Sequence, residues 1–231
     1  MMRAVAVLRP EPGASATVAR IEAAGMTPLR VPLFEVVSVA WDAADPADHD
    51  SLLLTSANAV RHAGAGLCGL AALPVLAVGS ATAEAARAAG LNVLVTGTHG
   101  VAALGEWAHA MGFARALHLA GRDRVEPLTL VTDTRVVYAN EAVWPSDAQV
   151  GALAGSVALV HSPRAAEALA AAVVELRGTI RLAAISDAAL AAAGPGWEAV
   201  AVAALPNDAA LIAAARTLAI DPHGSREDKA Q

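Results

Sequence analysis

Short polar side chains follow two apolar runs at the same place in two parts of the chain. Thr55 and Ser56 close the run at residues 52–54, and Ser162 closes the run at residues 158–160. Each is followed by an Ala-rich helical pattern, so helix capping alone accounts for these side chains. Free amides and hydroxyls at such a turn also bind anionic groups, and the two roles are compatible.

Further candidates for binding an anion lie near the starts of other predicted helices or directly after predicted strands. The candidates with small polar groups or a bare backbone are Asn58, Gly79, Ser80, Thr82 and Ser186. A polar cap is the simpler interpretation of Ser186. The candidate cations are Arg9, Arg122 and Arg164, whose guanidinium groups suit carboxylates or phosphates unless they are ordinary solvated arginines.

Tyr138 is the only tyrosine, and it ends a predicted strand. A buried tyrosine whose hydroxyl is hydrogen-bonded is the ordinary explanation. A phenol at this place could also donate a proton to a leaving hydroxyl group. The residue types leave both explanations open.

Several familiar sites are excluded by context. The glycine pattern at residues 64–69 has the dinucleotide-binding spacing but follows a helix, where no strand precedes it. The seven histidines show no metal-ligand spacing, and Cys68 is the single cysteine, so we expect neither a metal nor a disulfide. His161 is interpreted as a polar residue at the rim of a sheet.

Composition narrows the possible partners. The formal net charge of −6 argues against a nucleic-acid binder, although local arginines allow an anionic small ligand. The apolar stretch after Arg3 is too short for a secretory signal, and no apolar run reaches the roughly 18 residues of a membrane span. We therefore expect a cytoplasmic protein that binds no membrane.

The alternation of short apolar runs and helical segments predicts an α/β fold with parallel sheets. Ser56 and Ser162 are 106 residues apart, and so are Ser80 and Ser186, which indicates a duplicated α/β half. About ten strands suit two sheets of five, giving two flavodoxin-like domains with a cleft between them. The extended stretches 34–40 and 139–143 are the predicted two-stranded linker.

These linkers set the predicted domain boundaries. The first domain is discontinuous and contains residues 1–34 and 143–220, and the second contains residues 38–139. Residues 221–231 are predicted to form a disordered tail.

An ordered set of short motifs resembles the uroporphyrinogen-III synthase family from about residue 3 to residue 218. The motifs are Leu8-Arg9-Pro10, Pro32, Leu54-Thr55-Ser56-Ala57-Asn58-Ala59-Val60, Val78-Gly79-Ser80-Ala81-Thr82-Ala83 with Gly90, Val137-Tyr138, Ser162-Pro163-Arg164, Ile185-Ser186, Gly194-Pro195-Gly196-Trp197 and Pro206-Asn207-Asp208. The resemblance implies a two-lobed enzyme that cyclises hydroxymethylbilane, a linear tetrapyrrole with eight carboxylates. Uroporphyrinogen III forms with inversion of ring D and loss of water, without a cofactor.

The resemblance also implies roles for the candidates. Tyr138 matches the family's best candidate for the general acid, while the helix starts and arginines would hold the carboxylates. Two other functions remain open from the residues. One is a non-catalytic bilobed protein that binds an anionic metabolite. The other is a sugar-phosphate or nucleotide enzyme, although this sequence lacks the phosphate loop expected of such an enzyme. A monomer is the default expectation.

Overall fold

The structure, a computed structural model, describes residues 2–98, 100–124 and 128–221 of the chain. The first elements are β1 (Val5–Val7), α1 (Gly13–Ala23), β2 (Pro28–Arg30) and β3 (Phe34–Ser38). The middle of the chain forms β4 (Ser51–Leu54), α2 (Ala57–His62), β5 (Val75–Val78), α3 (Ser80–Ala88), β6 (Val93–Gly97), α4 (Gly100–Ala110), β7 (Ala116–Gly121) and β8 (Val131–Ala142). The last part forms α5 (Asp147–Ala152), β9 (Val157–Val160), α6 (Pro163–Ala172), β10 (Arg181–Ala184), α7 (Asp187–Ala193), β11 (Ala199–Val202) and α8 (Asp208–Ala219).

The chain divides into two units. The first unit contains residues 1–35 and 142–231, and the second contains residues 36–141. The sheet of the first unit has the order β11-β10-β9-β1-β2, and all of its neighbouring strands are parallel. The second sheet has the order β3-β8-β7-β4-β5-β6, in which the strands from β8 to β6 are parallel.

The strand order explains the internal repeat. Counted within each unit, the first sheet runs 2-1-3-4-5, the order of flavodoxin-like folds. The five parallel strands of the second sheet follow the same path with a different starting point, because β4 and β5 take the places of β9 and β10. Ser56 and Ser162 follow β4 and β9, so the 106-residue repeat matches equivalent strands. The prediction of an α/β fold with two parallel sheets is confirmed.

Burial on both faces explains why the strands appear in the sequence as continuous apolar runs. In β9, Ala158 and Val160 pack into the core that contains α6 and α7, while Val157 and Leu159 pack against α1 and α8. In β4, alternate residues likewise enter two different cores of the second unit. The side chains at the carboxyl ends of these strands are therefore held by a rigid sheet.

Some predicted elements differ from the structure. The sheets have five and six strands where five and five were expected, because β3 lies beside β8. The helix predicted from Ser162 to Leu176 ends at Ala172, and a 3-10 segment spans Val174–Thr179. Helix α5 was not predicted, and the strand predicted to end at Tyr138 continues to Ala142 as β8. The role of the stretch 139–143 as a linker stays a prediction.

Two predicted segments extend beyond the described residues. Positions 125–127 of the predicted loop at 121–127, and positions 222–231 of the predicted tail at 221–231, lie outside them. The predicted domain boundaries at residues 34, 38, 139 and 143 stay predictions.

Candidate functional site

A cavity of about 360 Å³ lies at the carboxyl ends of the central strands of the second unit. We call it the Tyr138 cavity. Polar groups on its wall come from Thr55, Ser56, His118, Asp123, Arg124 and Tyr138, and the remaining lining residues are Leu53, Val78, Val101, Gly121 and Leu128. In open parallel sheets this end of the strands is where ligands bind. The cavity wall therefore combines apolar side chains with hydroxyl, imidazole, carboxylate and guanidinium groups.

The end of β4 places the two hydroxyls differently. Ser56 has extended backbone angles, and its Oγ accepts a hydrogen bond from the amide of Asn58 at 3.2 Å, so it caps α2. Thr55 is one residue closer to the strand, and its Oγ1 lies 3.1 Å from Nε2 of His118. The Ser56 hydroxyl therefore caps α2, while the Thr55 hydroxyl pairs with the His118 ring in the cavity wall.

His118 reaches Thr55 because of strand register. It lies opposite Leu53 in the β4–β7 pairing, and Thr55 is two residues beyond Leu53, on the same face of the sheet. His118 is 4% exposed. Burial, with a smaller contribution from the positive charge of Arg124, lowers the pKa of His118 to about 4. The imidazole is therefore neutral near pH 7.

Tyr138 lies next to a position without a side chain. Gly121 at the end of β7 is paired with Tyr138 of β8, and a Cβ on Gly121 would come within 2.6 Å of the Tyr138 Cζ. The glycine thus makes room for the ring over the end of the neighbouring strand. The phenol is half-buried, and the ring of His62 lies 6.2 Å from it between centroids.

The other candidates of the second unit do not line the Tyr138 cavity. Gly79 caps α3 with a φ of 81°, a conformation that favours glycine, and exposed Ser80 is the first residue of that helix. Thr82, two residues further along α3, is buried. The Asn58 Oδ1 accepts a hydrogen bond from Arg61 at 3.2 Å.

Arg122 and Arg124 follow β7. The Arg122 Nη1 lies 2.5 Å from Oε1 of Glu141, so this guanidinium has a carboxylate partner. The Arg124 Nη1 donates to the Arg122 carbonyl at 3.3 Å, and Arg124 lines the Tyr138 cavity. Of the two cations, Arg124 is the one within the cavity wall.

One candidate of the first unit, Arg9, lies near a carboxylate that several other polar side chains also contact. Asp208, the first residue of α8, accepts hydrogen bonds from Thr17 at 3.0 Å and from Arg20 at 2.7 Å, and its Oδ1 lies 2.8 Å from His161 Nε2. Arg9 approaches the same carboxylate at 3.9 Å. Burial opposes ionisation of Asp208, but the hydrogen bonds from His161, Thr17 and Arg20 outweigh it and keep its pKa below the usual value.

The two serine candidates of the first unit are helix caps. The Oγ of Ser162 accepts from the Ala165 amide at 3.1 Å, and that of Ser186 accepts from the Ala189 amide at 3.3 Å. Arg164, in the first turn of α6, places its guanidinium carbon 4.8 Å from the centre of the Phe34 ring. The structure thus brings Thr55, Ser56 and Tyr138 to one cavity, while Arg9, Ser162, Arg164 and Ser186 belong to the first unit.

Two polar groups of the structure were not predicted from the sequence. His118 is a polar residue in the middle of an apolar strand. The sequence shows this exception to the apolar pattern, but it does not reveal which residue His118 contacts. The environment of His161 was also not predicted. Its Nε2 is hydrogen-bonded to Asp208 of α8, and burial holds the pKa of His161 below the usual value despite that carboxylate. Both depend on pairings between elements far apart in sequence.

The wall of the Tyr138 cavity suits an anionic ligand with apolar rings. Hydroxyl and guanidinium groups bind carboxylates, and the leucine and valine side chains suit carbon surfaces. Within residues 2–98, 100–124 and 128–221, no group of three or more His, Cys, Asp or Glu side chains could hold a metal ion. None of the helices in the described part of the chain is long and apolar enough to cross a membrane.

Comparison with known proteins agrees with the predicted resemblance. A family model described as uroporphyrinogen-III synthase HemD matches residues 15–213. The uroporphyrinogen-III synthetase of Helicobacter pylori 26695 has a similar fold, with a TM-score of 0.64 and 19% identity over 94% of this chain and 100% of that one. No curated protein matches the sequence.

Two structures of uroporphyrinogen III synthase from the extremely thermophilic bacterium Thermus thermophilus are also similar. A mutant form has a TM-score of 0.47 and 17% identity over 92% of this chain and 96% of that one. The wild-type form has a TM-score of 0.39 and 21% identity over 94% of this chain and 96% of that one.

The family model carries the assignment, since it spans most of the 231 residues, while the likeness to the Helicobacter structure shows the fold. The resemblance predicted from the short motifs is confirmed. The chain therefore belongs to the uroporphyrinogen-III synthase family.

Proposed function

We propose that the protein is a uroporphyrinogen-III synthase, which converts hydroxymethylbilane into uroporphyrinogen III and water. Family membership over residues 15–213 is the observation that carries the proposal. The chemistry of the Tyr138 cavity supports it, because its wall combines a phenol with hydroxyl and guanidinium groups and apolar side chains. The protein would be an enzyme of tetrapyrrole and heme biosynthesis, of the hydro-lyase class.

The first step of this reaction breaks the bond between the hydroxymethyl carbon and its oxygen. In this proposal the Tyr138 phenol gives its proton to the departing oxygen, which leaves as water, while the pyrrole nitrogen lone pair supplies the electrons for the azafulvene. General-acid assistance of this kind is typically worth about 10²–10⁴-fold in rate. The phenolate recovers a proton when the final ring loses one.

The second requirement is control of the ring closure. Attack at the substituted carbon of ring D, followed by rearrangement through a spiro intermediate, gives the inverted isomer, whereas free hydroxymethylbilane closes without inversion. Holding the chain in the reactive conformation is a matter of proximity and orientation. Thr55 and Arg124 in the cavity wall, with Ser56 beside them, are suited to hold substrate carboxylates.

The remaining candidates are proposed as further carboxylate contacts. In the second unit these are Asn58, Gly79, Ser80, Thr82 and Arg122, and in the first unit Arg9, Ser162, Arg164 and Ser186. Several of these groups already have protein partners, so they would have to exchange or share them on binding. The enzyme is proposed to act as a cytoplasmic monomer without a cofactor.

The direct test is product analysis. The purified protein is supplied with freshly prepared hydroxymethylbilane, the products are oxidised to porphyrins, and isomers I and III are separated. The expected result is isomer III formed faster than the spontaneous reaction. Isomer I alone, at the rate measured with heat-denatured protein, would refute the proposed function.

A further inference from the structure

His118 is a buried titratable side chain for which the reaction steps above give no role. It is 4% exposed and lines the Tyr138 cavity, where its Nε2 lies 3.1 Å from the Thr55 Oγ1. Among the residues that the structure describes, its Nδ1 has no hydrogen-bonding partner and no exposed surface. Within the described residues the ring therefore makes one hydrogen bond, to Thr55, which also lines the cavity.

The charge state of the ring limits what this hydrogen bond can be. Burial and the nearby Arg124 charge hold the pKa of His118 to about 4, so the imidazole carries one N–H near pH 7. Either Nδ1 is protonated and the Thr55 hydroxyl donates to Nε2, or Nε2 is protonated and donates to the Thr55 oxygen. In the first form the Thr55 hydroxyl proton is used by the ring. In the second form the proton remains free to be donated to another group.

The buried Nδ1 distinguishes the two forms. If it carried the proton, an N–H would be buried without an acceptor, and orphaned donors of this kind are rare because they lose their full interaction with water. If it carries the lone pair, an acceptor is left unsatisfied, which folded proteins tolerate better. The structure thus favours the form with the proton on Nε2.

We propose that His118 is a positioning residue that makes Thr55 a hydrogen-bond donor. Its Nε2–H occupies the Thr55 oxygen, so the hydroxyl proton of Thr55 turns into the cavity, where a carboxylate of the ligand accepts it. A hydroxyl that instead donated to the ring would present only lone pairs to that anion. The identity of the ligand, a linear tetrapyrrole polycarboxylate, rests on the proposed function.

The tautomer can be measured without any ligand. Histidine is labelled with ¹⁵N, and the two-bond and three-bond couplings between ring protons and nitrogens are recorded on the full chain at pH 7, with His118→Gln used to assign the signals. The expected pattern is that of a neutral ring with the proton on Nε2. A proton on Nδ1, or a charged ring, would overturn the proposal.

A double-mutant cycle tests the consequence for binding. His118→Leu removes the donor, Thr55→Val removes the hydroxyl, and His118→Gln keeps an N–H in the same region. We expect His118→Leu to raise KM for hydroxymethylbilane about tenfold with a smaller change in kcat, the scale of a hydrogen bond to a charged group. The same change in the Thr55→Val background should leave KM unaltered, and His118→Gln should restore most of the wild-type KM.

Two results would contradict this role. An equal rise in KM in both backgrounds would mean that His118 acts independently of Thr55, and an unchanged KM in His118→Leu would mean that it has no role in binding. Circular dichroism and Tm of each variant show whether it is folded, and if His118→Leu is not folded, the tautomer measurement decides the proposal. If the wild-type protein forms no isomer III, the proposed function fails, while the tautomer measurement still decides the inference about His118.

Discussion

The ring of Tyr138 occupies the space that a side chain on Gly121 would fill. A Cβ built at Gly121 lies 2.6 Å from the Tyr138 Cζ and 2.9 Å from its hydroxyl oxygen. Contacts this short do not occur, so any larger residue must displace the ring. The glycine at the end of β7 therefore fixes where the phenol can lie.

Gly121→Ala should displace the phenol without unfolding the protein. The backbone of Gly121 does not require a positive φ, so alanine is tolerated and the ring rotates away. We expect turnover of hydroxymethylbilane to fall by about 10²-fold, the low end of general-acid catalysis, with at most ~1–3 kcal/mol lost in the free energy of unfolding. Steady-state kinetics and urea denaturation measure the two quantities.

The matched control is Gly151→Ala in α5. A Cβ there meets nothing within 4 Å, and alanine is the better helix former, so the variant should be as active as wild type and up to ~1 kcal/mol more stable. A fully active Gly121→Ala enzyme would show that the position of the phenol does not matter.

Tyr138→Phe tests the proton itself. The variant keeps the ring and removes only the hydroxyl, so we expect kcat to fall by about 10²–10⁴-fold while KM stays near the wild-type value. Single-turnover kinetics separate the chemical step from binding. An unchanged kcat would assign the acid to a substrate carboxyl group or to water, and a rise in KM alone would make Tyr138 a binding residue.

The sequence predicted the elements whose signals are local. The apolar runs of the central strands, and the serines that cap α2, α6 and α7, could be identified because a buried parallel strand and an N-cap each have their own residue pattern. Helix α5 was missed although its capping box, Ser146 with Gln149, is also a local pattern. Its six residues contain no fully buried apolar side chain, so the periodic signal was absent.

The candidate site was predicted less completely because it depends on strand register. Thr55 follows the end of β4, as predicted, whereas Tyr138 lies inside β8, which continues to Ala142. The proximity of His118 to Thr55 follows from its pairing opposite Leu53, which no local pattern reveals. The space beside Tyr138 likewise depends on Gly121 being its partner in the β7–β8 ladder. Residue types alone thus suggested the hydroxyls and the phenol as candidates, and only the fold revealed their neighbours.

The pH dependence of stability should report the buried state of His118. Its pKa is about 4 in the folded protein and near 6.5 when unfolded, so the unfolded chain binds a proton first as the pH falls. Stability therefore decreases from about pH 6.5 down to about pH 4, by roughly 3 kcal/mol for this residue. His118→Gln removes the titrating group and should lose that part of the decrease.

Urea denaturation at pH 7, 6, 5 and 4 measures this effect. His109→Gln replaces an exposed histidine of α4 and is the control, whose curve should run parallel to wild type. Parallel curves for His118→Gln and wild type would mean that His118 titrates normally in the folded protein.

An ion-pair network around Arg181, the first residue of β10, should stabilise the first unit. The Arg181 side chain, 9% exposed, donates to Glu198, to Asp221 and to the carbonyl of Leu218 at 2.6–2.9 Å. Arg181→Met leaves these acceptors without their shared donor, although Arg3 still contacts both carboxylates. We expect a loss of about 2–4 kcal/mol in the free energy of unfolding, because the partners are only partly buried.

Arg87→Met provides the comparison for this prediction. Arg87 is exposed at the end of α3, so its replacement should change the free energy of unfolding by no more than ~0.5 kcal/mol. Equal stability of the two variants in thermal and urea unfolding would mean that the network contributes nothing measurable.

The two interpretations of Ser162, helix cap and anion contact, can be separated by charge. Its Oγ caps α6 through the Ala165 amide, and aspartate accepts this hydrogen bond equally well. Ser162→Asp should therefore keep the Tm of wild type, whereas Ser162→Ala should lose about 1 kcal/mol. If Ser162 also contacts a substrate carboxylate, the added negative charge should raise KM about tenfold by repulsion, a change of ~1.4 kcal/mol.

Ser146→Asp makes the same change at the cap of α5 and should leave KM unaltered. Raising the ionic strength should narrow the KM difference between Ser162→Asp and wild type, since salt screens the repulsion between exposed charges. A Ser162→Asp enzyme with wild-type KM would restrict Ser162 to its structural role, and the carboxylate contacts would then fall to other groups of the first unit, beginning with the guanidinium of Arg164.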